Sequence, residues 1–105
     1  MARYTNLLTV PKTPPSLRDS IISSLKSCGL NMVYETGDYL VAKEIPGQVS
    51  LAQLTTIEVL INPPSGSLGP AKVNLVVKNE ELPLRQKNHC QQVFETVNQA
   101  LVALA

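Results

Sequence analysis

Apolar and polar positions change period several times along the chain, and each change predicts an element. From Tyr4 to Val10 the run Tyr-Thr-Asn-Leu-Leu-Thr-Val favours a strand, and it ends at Pro11, which has no amide proton for a sheet ladder. After Thr13-Pro14-Pro15, Leu17, Ile21, Ile22, Leu25 and Cys28 recur at helical spacing, with Ser16 expected as N-cap and Gly29 as the stop. Arg18, Asp19, Ser20, Ser23, Ser24, Lys26 and Ser27 occupy the rest of that helix, so it has one apolar side to lay against a sheet.

Beyond Asn31 the period is two. Met32-Val33-Tyr34-Glu35 and Tyr39-Leu40-Val41-Ala42 flank Thr36-Gly37-Asp38, the chemistry of a tight hairpin. Pro46-Gly47 breaks the chain, and Gln48 to Gln53 fits a short strand or a packed loop equally well. Leu54 to Asn62 reads as a strand with Ile57, Val59 and Ile61 on one face and Thr56, Glu58, Leu60 and Asn62 on the other. The stretch from Pro63 to Pro70 is too rich in Pro, Gly and Ser for regular structure. After it Val73, Leu75 and Val77 alternate with Lys72, Asn74, Val76 and Lys78, which predicts the second strand of a hairpin. A last helix is expected with Pro83 in its first turn and Cys90, Val93, Phe94, Val97, Ala100, Leu101 and Leu104 as its apolar stripe.

The order is strand, helix, four strands, helix. Short connections after the first helix require antiparallel pairing, so the expected fold is α+β: a two-layer sandwich of about five antiparallel strands with both helices on one face. At 105 residues and 11.4 kDa the chain fits a single domain, residues 1–105. This element order resembles the TBP-like, or helix-grip, group of folds in minimal form. The run Asn79-Glu80-Glu81-Leu82-Pro83-Leu84-Arg85 through Cys90, with Glu44-Ile45-Pro46-Gly47, resembles small uncharacterised conserved proteins of cyanobacteria. That resemblance implies a bacterial cytosol or a chloroplast-like setting and names no activity.

Composition removes several functions. With 44% hydrophobic and 16% charged residues the chain is not built to stay disordered. Nine Lys plus Arg against eight Asp plus Glu give +1, too even a balance for binding driven by counterion release, so no nucleic-acid partner is expected. No apolar run reaches the roughly 18 to 20 residues of a membrane-spanning helix, and no membrane partner or export signal is expected. Two cysteines and one histidine are too few for a disulfide scaffold or an ordinary zinc site. A reducing cytoplasm, and no metal or cofactor, follows as the expectation.

Three places hold candidate chemistry. His89 beside Cys90 could pair imidazole with thiol, but neighbours on a helix project about 100° apart and do not face each other. Both cysteines fall on apolar stripes, so each is expected in the core, with a disulfide between the helices as the alternative. The strand-to-helix junction is the most polar stretch: Lys78, Glu80, Glu81, Arg85, Lys87 and His89 form the candidate binding site, where the cations could engage an anion near the helix start. The sheet face turned away from the helices offers Leu60 and Val76 as a small apolar pair. The outer side of the last helix carries Gln86, Gln91, Gln92, Glu95, Asn98 and Gln99.

Phosphate-loop, Cys-x-x-Cys, His-Glu-x-x-His and Gly-x-Ser-x-Gly patterns are all lacking in the sequence, so no enzyme and no catalytic residue is expected. The expected function is a small non-catalytic cytoplasmic binding or accessory protein that works by protein contact, as a monomer or weak homodimer. The alternative is a carrier of a small apolar ligand held between the sheet and the C-terminal helix.

Overall fold

The computed structural model describes residues 1–11, 14–62, 70–82 and 88–104. The elements are β1 (Ala2–Val10), α1 (Pro14–Ser27), β2 (Asn31–Glu35), β3 (Tyr39–Lys43), a 3-10 turn (Leu51–Gln53), β4 (Thr56–Asn62), β5 (Ala71–Asn79) and α2 (His89–Val102). The strands form one sheet in the order β1-β5-β4-β3-β2, every neighbouring pair antiparallel.

Register follows from the alternation. Ile57, Val59 and Ile61 lie opposite Val77, Leu75 and Val73, while Tyr4 and Leu8 lie opposite Val77 and Val73 on the other side of β5. Leu40 and Ala42 continue the same face opposite Val59 and Ile57. A slip of one residue would turn this whole apolar set to solvent, so burial fixes the pairing. Leu17, Ile21 and Leu25 of α1 and Cys90, Val97 and Leu101 of α2 close over that face in one buried cluster. Each fully buried Leu, Ile or Val in it contributes about 1.5–3 kcal/mol from area removed from water. The α2 helix lies across β1 and β5, and α1 lies beside α2 and against β2. The opposite face of the sheet has no helix on it among the described residues.

The α1 helix ends as expected. Gly29 takes φ +81°, and the amides of Gly29 and Leu30 return to the carbonyls of Lys26 and Leu25 at 3.0 and 3.2 Å, the paired bonds of a left-handed glycine cap.

Three expectations need correction, and one open segment is settled. Ser16 is not an N-cap: α1 begins at Pro14, because a proline's fixed φ suits the first helical position. The first strand starts at Ala2, two residues before Tyr4, since β5 is long enough to pair it to its end. The segment Gln48 to Gln53, whose sequence fits a short strand or a packed loop equally well, supplies a 3-10 turn at Leu51–Gln53. The last helix starts at His89, because Asn88 is extended (φ −70°, ψ 163°) and its side chain accepts the Gln91 amide at 2.7 Å as a true N-cap. Pro83, Arg85, Gln86, Lys87 and most of the Pro63 to Pro70 turn lie outside the described residues.

Candidate functional site

The expected junction site is held together from within. The first amides of a helix have no partner in the helix itself and carry the positive end of its dipole. Here Glu81 occupies them: its Oε1 accepts the Cys90 amide at 2.8 Å and its Oε2 the His89 amide at 3.1 Å. Asn79 holds that carboxylate in place, donating to Glu81 Oε1 at 2.6 Å and accepting the Glu81 amide at 3.0 Å. The same Asn79 amide group reaches the Gln53 carbonyl at 3.2 Å and the Thr55 hydroxyl at 3.3 Å. Burial alone would push the Glu81 carboxyl up, but the bonds from Asn79, Cys90 and His89 outweigh it and leave its pKa below the ordinary carboxylate range.

His89 turns away from Cys90. Its Nε2 lies 2.8 and 2.9 Å from the two oxygens of Glu44, and Glu44 Oε1 also accepts the Thr55 amide at 3.0 Å. The residues after β3, the end of β5 and the start of α2 are thereby tied at one point.

Of the six expected site residues, the structure joins Glu81 and His89 and separates the other described ones. Strand alternation sends Asn79 inward and Lys78 to the opposite face of the sheet. Glu80 is exposed, and its amide donates to the Ala52 carbonyl at 3.1 Å. Arg85 and Lys87 lie outside the described residues. Glu44 and Thr55 were missed as partners, because nothing local in the sequence links Glu44 to His89, 45 positions away; Asn79 lies only two positions from Glu81.

The uncovered sheet face gathers more. Tyr39 donates a hydrogen bond to Glu58 Oε1, and Lys78 Nζ lies 2.7 Å from Glu58 Oε2. The Lys78 ammonium, then the Tyr39 hydroxyl, hold Glu58 below the usual carboxylate range, and the bond to Glu58, with burial second, pushes Tyr39 up. Around this pair a concavity of about 570 Å³ is lined by Arg3, Thr5, Leu7, Leu60, Asn74 and Val76, among others. Leu60 and Val76 are diagonal neighbours, since Leu60 lies opposite Asn74 and Val76 opposite Glu58. Leu7 joins them from β1, 56% exposed beside Leu60 at 37%. Among the described residues, open-face strand positions carry Arg3, Lys43, Lys72 and Lys78 against the single carboxylate Glu58.

Both thiols sit where burial raises their pKa. Both are free; Cys90 is fully buried, with its Sγ 3.5 Å from the Val77 carbonyl oxygen. Burial, with the Glu81 charge next, pushes its pKa up to about 11, so almost none is thiolate near neutral pH. Burial also raises Cys28, which lines a cleft of about 240 Å³ with Leu30, Val93, Val97, Glu44 and His89. Among the described residues no group of three or more His, Cys, Asp or Glu side chains is placed to hold a metal ion, and no helix is long and apolar enough to cross a membrane.

The fold and its open face define a two-layer α+β domain with a sheet covered on one side. No protein-family model and no curated protein matches the sequence. Among solved structures the chain is similar to the crystal structure of Ara h 8.0201, with a TM-score of 0.47 and 10% identity over 96% of this chain and 95% of that chain.

Proposed function

We propose that this chain is a small, non-catalytic, cytoplasmic binding or accessory protein that acts by protein-protein contact through the uncovered sheet face. One observation carries the reading: Leu7, Leu60 and Val76 line the same concavity as Glu58, the carboxylate that pairs with Lys78. Scattered exposed leucines are ordinary, whereas apolar side chains gathered around a half-buried ion pair provide anchors and a polar rim together. The cationic excess of that face, within a chain of net charge only +1, favours a partner segment that is acidic and bears apolar anchors. Lys78 belongs to this surface. Glu81 and His89 use their polar atoms on the helix start and on Glu44, and so serve the fold.

The test is recovery of a partner from the native host with tagged protein, read by mass spectrometry. The double substitution Leu7→Asp with Leu60→Asp should abolish recovery and leave the melting temperature nearly unchanged. Joint substitution of Glu81, Arg85 and Lys87 should leave the bound partner the same in a protein that is less stable. Undiminished recovery by the leucine variant would sink the proposal.

A carrier of a small apolar ligand is the second reading, favoured by the cleft between the end of α1 and the first turns of α2. Its 240 Å³ falls below the roughly 300–1,000 Å³ of ordinary ligand sites, which weighs against it. Saturable uptake of an apolar fluorescent probe, lost on Val93→Trp, would support this reading over the first.

A further inference from the structure

The two edges of the sheet are built differently. At one edge β2 is five residues long, is bulged between Met32 and Tyr34, and ends on Glu35; beyond it the Arg18 guanidinium donates to the Thr36 carbonyl at 2.8 Å. Shortness, a bulge and charge are the usual guards against edge-to-edge pairing. At the other edge β1 has nine residues in unbroken register with β5, no proline, no bulge and one charge, Arg3. No described residue pairs with its outer side.

We infer that the β1 edge pairs with β1 of a second copy, antiparallel about a two-fold axis at Asn6, joining two sheets into one. The strand is complementary to itself in that register. Arg3 stands opposite Thr9 of the second copy, Tyr4 opposite Leu8, Thr5 opposite Leu7, and Asn6 opposite itself, so no like charges meet. All nine residues are used, and the two Leu7 side chains become diagonal neighbours on the open face.

The helix above the edge fits the same symmetry. Tyr4 stacks on Phe94 with ring centroids 5.6 Å apart, and Asn6 Nδ2 donates to Asn98 Oδ1 at 2.7 Å, which levels Asn98 with the proposed axis. The side of α2 turned from α1 carries Gln91, Glu95, Asn98 and Val102, three of them uncharged. Because α2 spans β1 and β5, two copies of it would stand about two strand spacings apart, roughly 10 Å, an ordinary helix-packing distance. This inference shares Leu7 with the proposed partner surface but rests on the free backbone edge of β1, and it survives if that surface binds nothing.

Sedimentation equilibrium over a concentration series tests it. Wild-type protein should approach twice the 11.4 kDa chain mass. Thr9 is exposed but stands opposite Lys72 of its own β5, so the melting temperature of each variant is measured beside its association, and the comparison is made at a temperature where all are folded. Thr9→Lys places a cation opposite Arg3 twice per dimer and should weaken association about twofold to thirtyfold, while Thr9→Glu should strengthen it by a similar factor. Gln48→Lys, an exposed change far from the edge, should do neither. The inference fails if the wild type stays monomeric up to about 1 mM, if the two Thr9 variants do not move in opposite directions, or if Gln48→Lys matches Thr9→Lys.

Discussion

Glu81 and Cys90 meet across the turn from β5 to α2, with Glu81 Oε1 2.8 Å from the Cys90 backbone nitrogen. The contact places a carboxylate of the chain on the amides of its own helix start. An anion from outside would have to displace Glu81 to use the amides of His89 and Cys90, so the junction reads as a structural clamp.

Removing that clamp should destabilise the protein. Glu81→Gln keeps the shape but loses the charge opposite the helix dipole, with an expected loss of about 1–2 kcal/mol in urea unfolding at unchanged m-value. The pH dependence has a definite sign. The folded pKa lies below the unfolded one, so the stabilisation is full above the ordinary carboxylate range and is lost as pH falls through the folded value. Below about pH 4 the variant should therefore lose less stability per pH unit than the wild type. Parallel acid curves would contradict the clamp.

Tyr39 predicts the alkaline side. Its pKa is raised, so the bond to Glu58 stabilises fully below the unfolded tyrosine value and is lost as pH rises through the higher folded value. Absorbance titration of the folded protein should find a component from Tyr39 ionising above the ordinary tyrosine range. In Tyr39→Phe that late component should vanish and the alkaline loss of stability should shrink.

The cysteines should differ in reactivity. In native protein a thiol reagent at about pH 8 should label half-buried Cys28 slowly and leave Cys90 untouched until the protein unfolds. Rapid native labelling of Cys90 would show that α2 detaches from the sheet.

Two leucines on adjacent strands separate fold from surface. Leu75 is fully buried, and Leu75→Ala should cost about 2–5 kcal/mol. Leu60 points to the open face, and Leu60→Ala should change stability by no more than about 0.5 kcal/mol. A large loss at Leu60 would mean that it supports the sheet and is not free to meet a partner.

Much of the fold was legible in the chain because it rests on local periodicity. Ile57, Val59 and Ile61, then Val73, Leu75 and Val77, alternate strictly, and that alternation alone fixes two strands and their shared apolar face. The spacing of Cys90, Val97 and Leu101 likewise marks the buried side of α2. Even the open face was partly readable, since Leu60 and Val76 fall on the polar side of their strands.

What the sequence could not reveal depends on partners far apart along the chain. Pairing β1 with β5 sets Tyr4 opposite Val77, brings Leu7 into the concavity with Leu60, and leaves β1 as a long free edge. His89 meets Glu44, and Glu81 meets the Cys90 amide, only because packing α2 on the sheet brings those ends together. Periodicity says which side of an element is buried. Which elements become neighbours is decided by the joint burial of all those sides at once, and the choice of polar partners follows from that packing.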